Sequence, residues 1–365
     1  MVRLAGSCLR AAVVALSLLA GAAHAEDSQP SPIGQEIDWI IPFSAGGGSD
    51  TWAHFLAPLL ARHLPGNPQV NIVNEAGGGG TRGANIFAAR AEPDGRMILG
   101  TSGSTQFPYL LGDFRVHYDY EDWTVLATSP TGGVVFVSAG LGLESWRDIR
   151  KLRDRRLVFA SQGPTSLDLV PFLAFRLLGL EVQYVFGYTG RHDGLTAMIE
   201  GDVNIDYQTT ASVLRNLMPA FQSGDLVPLM SWGVMGPDGR TQRDPTFPDL
   251  PTVEEVYEHL YGQPPSGPDY EIYHAFFIAG FAAQKMVVIP SDTPEPLRRI
   301  WLEAWGKLLK DPDFHEGAPA ALGVYPLLIG DEAEDLARRA LRIDPDIRRR
   351  VHQILARDFS IKLSE

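Results

Sequence analysis

Ile37-Asp38-Trp39-Ile40-Ile41-Pro42-Phe43-Ser44-Ala45-Gly46-Gly47-Gly48-Ser49-Asp50-Thr51-Trp52 decides how this chain folds. Ile37 to Ile41 is a short apolar run with the length of a buried strand. Thr51 to Leu56 carries apolar residues at helical spacing. The stretch between them therefore joins a strand to a helix N-terminus. Three glycines allow a tight turn and leave backbone N–H groups uncovered. The first N–H groups of a helix have no partner inside it, so this junction is suited to an anion. No lysine follows the glycines, which separates the loop from the phosphate loop of nucleotide hydrolases. Thr51 stands where a dinucleotide fingerprint needs its last glycine, so no dinucleotide cofactor is expected.

Further motifs follow in order. Asn74-Glu75-Ala76-Gly77-Gly78-Gly79-Gly80 comes next, then Gly83-Ala84-Asn85 and Pro93-Asp94-Gly95-Arg96-Met97-Ile98-Leu99. This series resembles the extracytoplasmic solute receptors of tripartite tricarboxylate transporters, the Bug-type proteins. In that family a Pro-Phe-x-x-Gly-Gly-x-x-Asp loop precedes a Gly-rich loop and a Pro-Asp-Gly-x-x-Leu-Leu stretch. The likeness is specific over residues 37–100. It continues more loosely through Tyr188-Thr189-Gly190, Pro251-Thr252-Val253-Glu254-Glu255 and Lys310-Asp311-Pro312. The resemblance implies an α/β, two-domain periplasmic binding protein fold of type II-like form, with ligand in the interdomain cleft. It further implies a small organic acid as ligand, membrane permease subunits as partners, a monomer and no cofactor.

Composition agrees with a secreted protein. Arg3 and Arg10 precede the apolar run Ala11 to Ala23, and Ala23-His24-Ala25 is a small-x-small cleavage site, so residues 1–25 read as a signal peptide. Removing 25 of the 365 residues leaves 340, enough for two domains. The only cysteine, Cys8, lies in the signal, so the mature chain is expected to have no disulfide, thiol nucleophile or thiolate metal site. With 31 Lys+Arg against 44 Asp+Glu the formal charge is −13, which argues against nucleic acid or anionic lipid as partner.

Strands alternate with helices. Val70 to Val73 and Met97 to Leu99 read as strands around a helix from Ala84 to Ala91. Val134 to Val137 and Leu157 to Ala160 open a second unit. There Ser161-Gln162-Gly163-Pro164-Thr165-Ser166 leads into a helix over Leu169 to Leu178, repeating the strand, polar loop, helix logic of the opening. The expected division is 36–128 with 245–365 as the first domain and 129–244 as the second. The return of the C-terminal part is implied by the resemblance alone. Pro58 is expected to kink the first helix or end it near Ala57. Pro171 fits a first turn if Asp168 is the N-cap.

The candidate ligand contacts are Phe43, Ser44, Gly47, Gly48, Ser49 and Asp50 in the first loop. Asp50 reads first as an N-cap. Thr101, Ser102 and Ser104 belong to a polar loop after the third strand. Thr165, Ser166 and Tyr207 stand where the resemblance places the opposing wall. Thr189 replaces a frequent lysine and Glu75 a frequent arginine, which shifts weight to backbone and hydroxyl donors. No Gly-x-Ser-x-Gly elbow and no His-Glu-x-x-His occurs, and the nine histidines show no ligand-like clustering. A solute receptor is thus the first reading. A secreted hydrolase or isomerase on the same scaffold, or a ligand-presenting sensor, are the alternatives.

Overall fold

A computed structural model describes residues 33–236 and 239–363, and the expected signal segment lies outside the described residues. The strands are β1 (Glu36–Ile41), β2 (Gln69–Asn74), β3 (Met97–Thr101), β4 (Trp123–Ser129), β5 (Gly133–Ser138), β6 (Leu157–Ser161), β7 (Val182–Phe186), β8 (Ile205–Thr209) and β9 (Leu226–Ser231). A short hairpin, β10 (Val234–Met235) and β11 (Thr241–Gln242), precedes β12 (Lys285–Pro290) and β13 (Leu328–Ile329).

The first unit is built on a six-stranded sheet of order β13-β4-β12-β3-β1-β2. β1 pairs in parallel with β2 and β3, whereas β12 runs antiparallel between β3 and β4. The direction of β12 matters for the site. Its first residues lie beside the last residues of β3, with Met286 opposite Thr101. The start of β12 therefore shares a sheet edge with the loops that leave β1 and β3.

Helix α1 (Gly48–His63) packs on this sheet through Trp52, Ala53, Leu56 and Leu60. Trp39 of β1 meets Trp52 edge-on at 5.8 Å and Trp305 at 6.2 Å. Burying a large apolar side chain of this kind is worth roughly 1.5–3 kcal/mol. The helix runs through Pro58 rather than ending near Ala57. Buried Leu56, Leu59 and Leu60 flank the proline, and their packing outweighs one lost backbone hydrogen bond.

The second unit holds a β8-β5-β9 antiparallel sheet and the parallel pair β6-β7. Asn204 splices them. Its N–H donates to the Val158 carbonyl at 3.0 Å and its Oδ1 accepts from the Val158 N–H at 2.8 Å. Helix α4 (Leu169–Leu178) covers this unit, with Pro171 in its first turn and Asp168 at the N-cap position.

Residues 245–277, expected with the first unit, pack elsewhere. The helices Val253–Tyr261 and Pro268–Phe277 bury Val253, Val256, Ile272, Tyr273 and Phe276 in the same core as Leu169, Phe172, Leu173 and Leu177 of α4. The chain rejoins the first sheet at Lys285. The closing helix Pro345–Phe359 also contributes Val351 and Leu355 to that core. The strand that returns to the first sheet begins only at Lys285, well after the boundary expected at 245, and only pairing reveals it.

Candidate functional site

Four strand-end loops converge between the units. They follow β1 and β3 in the first unit and β6 and β8 in the second, and the segment after β7, through Arg191, and the start of β12 join them. Together they enclose a cavity of about 30 Å³, room for roughly two water molecules.

The first loop is shaped by its own residues. Gly46 takes φ +82°, a left-handed turn that glycine adopts without strain. Asp50 then reaches back. Its Oδ2 accepts from the Gly46 N–H at 2.8 Å, and its Oδ1 accepts from the Asn74 amide at 3.0 Å. Asp50 is thus not the N-cap, which is Gly47; it sits one turn inside and ties the loop down. Phe43 is held by the second glycine-rich stretch, where a side chain at Gly80 would lie 2.8 Å from its ring. Phe43, Ser44, Gly47, Gly48 and Ser49 all line the cavity.

After β3, the segment Thr101 to Gln106, expected as a loop, begins helix α3 (Gly103–Leu111). Ser102 is its N-cap, and its hydroxyl accepts from the Ser104 N–H at 3.2 Å. Ser102 and Ser104 line the cavity. Ser104 Oγ also crosses to the second unit and accepts from the Leu167 N–H at 3.1 Å. Thr101 stays in the sheet and is not among the lining residues.

In the second unit, Gln162, Leu167, Arg191 and Thr209 line the cavity, and Thr165, Ser166 and Tyr207 do not. Thr165 is engaged by the first unit. Its hydroxyl donates to Asp113 Oδ2 at 2.8 Å, and Arg115 donates to it at 2.7 Å. Burial raises the Asp113 carboxyl, but its bonds to Arg115 and Thr165 outweigh that and hold it below the usual carboxylate range. Ser166 folds onto its own turn, donating to the Gly163 carbonyl at 2.7 Å.

Tyr207 lies beneath the wall. Its hydroxyl donates to Asp168 Oδ1 at 3.0 Å, and burial together with that carboxylate pushes the phenol well above its ordinary value. Arg191 stacks over the Tyr207 and Phe159 rings at 4.6 and 4.9 Å and pairs with Asp168 and Asp206. Its charge is compensated within the second unit.

Lys285, the first residue of β12, is the other cation lining the cavity. It is 3 % exposed, and its Nζ donates to Ser49 Oγ at 2.6 Å. Among the described residues no carboxylate lies within ion-pair distance of it. Burial pushes its ammonium down to about 7. Three further buried polar atoms at the cavity, Ser44 Oγ, Gln284 Oε1 and Arg191 Nε, have no hydrogen-bond partner within the protein. Sequence reading missed Gln162, Leu167, Arg191, Thr209, Gln284 and Lys285. The available signal was the polar pair Gln284-Lys285 directly before the apolar run Met286 to Ile289.

Two α/β units closing their strand-end loops on one buried polar cavity define a clamshell solute-binding protein. Comparison with known proteins gives the family. The family model described as "Tripartite tricarboxylate transporter family receptor", TctC, matches residues 57–265. The chain belongs to this receptor family. A curated relative, the UPF0065 protein in the TAR-I ttuE-ttuC' intergenic region of Agrobacterium vitis, is 26% identical over 342 residues, covering 90% of this chain and 85% of its own. The solved structure of the periplasmic binding protein BugD superposes with a TM-score of 0.66 at 20% identity, covering 90% of this chain and 98% of its own. MatC from Rhodopseudomonas palustris, solved with bound malate, gives 0.63 at 19% identity, covering 86% and 98%. At those identities the likeness is one of fold. The fold is that of periplasmic binding proteins, and no helix among the described residues is long and apolar enough to cross a membrane.

Proposed function

We propose that this protein captures a small organic carboxylate in the periplasm and delivers it, as a monomer, to the membrane permease subunits of a tripartite tricarboxylate-type transporter. The observation that carries this reading is the start of the 16-residue helix α1. The backbone of Gly47, Gly48 and Ser49 faces the interunit cavity there, with N–H groups free of intrahelical partners. A carboxylate is the organic group that such donors hold best. Malate bound in MatC, on the same fold, supports the choice.

The mechanism is closure rather than conversion. The ligand touches loops from both units and so favours the state in which they meet. The units swivel at the connection from β4 to β5 and at residues 278–284 before β12. The division of the chain follows these crossings, which gives residues 245–277 to the second unit. Phe43 packs on the carbon skeleton, while the loop N–H groups and Ser44 and Ser49 take the carboxylate. Thr165 acts by holding the units together through Asp113 and Arg115, and Ser166 shapes the turn that presents it.

The test is thermal stabilisation by a panel of mono-, di- and tricarboxylates. A ligand at ~100 times its Kd adds about 2.7 kcal/mol, which is a melting shift of roughly 5–10 °C for a chain of this size. A panel with no hit, or a hit that the pure protein converts to product, would set this reading aside.

A further inference from the structure

We propose that Lys285 is the specificity-determining charge of the cleft: its ammonium pairs with a carboxylate of the bound solute, so that the site takes the anion and rejects the neutral analogue. This deepens the receptor reading above and rests on it.

The argument is one of charge balance in a buried place. Two cations line the cavity. Arg191 is matched inside its own unit by Asp168 and Asp206. Lys285 has only the neutral Ser49 hydroxyl at 2.6 Å. A buried charge is retained at high cost unless it is paired. The remaining charges around it are engaged elsewhere or lie on the far side of the walls. Asp50, next to Ser49, is taken by the Gly46 N–H, Asn74 and His54. His192 packs at Gly46. Asp113 is held by Arg115. Asp244, by the Gly132 connection, is bonded to Tyr325 at 2.5 Å. On β4 the residue facing Lys285 is Ser129, which is neutral.

Position strengthens the case. Ser49 belongs to the loop that offers its N–H groups to the ligand, so a carboxylate held by that loop lies beside the ammonium. The hydroxyl that now accepts from Lys285 turns to donate to the ligand. Because burial holds the ammonium near 7, the empty protein is partly deprotonated there at neutral pH. An arriving carboxylate raises the proton affinity, and binding takes up a proton. Affinity is then greatest below about pH 7, while the carboxylate remains ionised, and falls about tenfold between pH 6 and pH 8.

The experiment uses the mature protein with acetate, L-malate and adipate as probes, against sodium chloride at matched ionic strength. Calorimetry in two buffers of different ionisation enthalpy counts protons. The expected result is uptake approaching one proton at pH 8, and binding of malate but not of its diamide. Lys285→Met should lower affinity at least ~10-fold and abolish both the proton uptake and the pH slope. Lys285→Gln serves as a second variant with a polar end. Equal binding of malate and its diamide to the wild type, or wild-type affinity and pH slope in either variant, would overturn the proposal and leave the receptor reading intact. Failure of the wild type to bind any carboxylate would overturn both. Loss of binding in Gly47→Val with retention in Lys285→Met would place the carboxylate at the loop and not at the lysine.

Discussion

Closure brings the backbone of one unit against a side chain of the other, and Gly48 marks the contact. A β-carbon built on Gly48 falls on Thr209 Oγ1, with Thr209 Cβ at 3.3 Å and Ser212 Cβ at 3.9 Å. Thr209 stands at the end of β8, where the chain turns into helix α6 (Thr210–Asn216), so its backbone cannot retreat without moving that helix. Rotating the threonine relieves the hydroxyl but not its Cβ. Gly48→Ala therefore opposes the closed state and leaves the open one untouched. Overpacking of this sort costs about 1–3 kcal/mol, and closure is what a ligand must bring about. Affinity should fall roughly 5- to 150-fold, at about 1.4 kcal/mol per factor of ten. Unfolding of the empty protein should change far less, because alanine favours a helix start over glycine. Calorimetry reads the affinity and small-angle scattering reads the compaction on binding. Thr209→Ala removes both outer atoms but keeps the Cβ at 3.3 Å, so the double variant should recover only part of the loss. Wild-type affinity and compaction in Gly48→Ala alone would mean that the ligand is held with the units further apart, and the reasoning would fail.

Gly47 is the complementary case. A β-carbon there meets only the Ser44 carbonyl, at 3.6 Å, so Gly47→Val should fold and close normally yet bind at least ~10-fold more weakly, a difference of about 1.4 kcal/mol. Calorimetry on the well-folded variant decides it. Thr165→Val removes the bonds to Asp113 and Arg115 without touching the cavity. It should weaken every ligand by a similar factor, about 1 kcal/mol or fivefold, and a change in ligand preference would instead show direct contact. Lys285 sets a pH dependence on folding as well. Its folded value of about 7 lies below its ordinary 10.5, so between those limits the unfolded chain binds more protons and stability rises with pH. Lys285→Met should therefore gain most below pH 7, on the order of 5 kcal/mol at ~1.4 per unit, with the gain vanishing toward pH 10.5; denaturant titrations with a constant gain across that range would contradict this.

Much of the fold was legible because local signals agreed. The run 37–41 became β1, and Leu169 to Leu178 became α4 with the bounds read from the sequence. The two strand, polar loop, helix junctions do face each other, since loops after β1 and after β6 line one cavity. What could not be read depended on strand direction. Lys285 enters the site because β12 runs antiparallel to β3, which carries its first residue to the edge where the parallel strands end. Nothing in a linear chain announces that reversal. Tyr207 shows the opposite error. It shares a face of β8 with the cavity-lining Thr209 two residues on, but it lies inside the strand and not at its end, where its ring packs in the core against Phe159 and Trp232. Thr165 was recognisable as a polar loop residue, but its partner Asp113 is 52 residues away, so its role in closure needed the fold.

The molecule as a whole is strongly acidic and its cleft offers a single unpaired cation, and this has a kinetic consequence. The chain carries 44 Asp+Glu against 31 Lys+Arg, so an anionic solute approaches a surface that repels it. The two cations of the site do little to offset that at a distance. Arg191 is matched by Asp168 and Asp206, and Lys285 is 3 % exposed and near half-protonated at neutral pH. Selection is therefore made after entry, when closure removes water and strengthens each remaining interaction, rather than by long-range steering. At an ionic strength of 0.01 M the repulsion reaches about 30 Å, and at 0.1 M about 10 Å. Added salt should then accelerate association of a dicarboxylate such as malate, by a few-fold between those conditions. Dissociation should stay nearly constant, because the pair formed with Lys285 is shielded from bulk ions. Stopped-flow fluorescence separates the two rates, the buried tryptophans giving the signal. An association rate that falls as salt rises would show a positive field reaching out of the cleft, and the balance of charge argued for Arg191 and Lys285 would have to be redrawn.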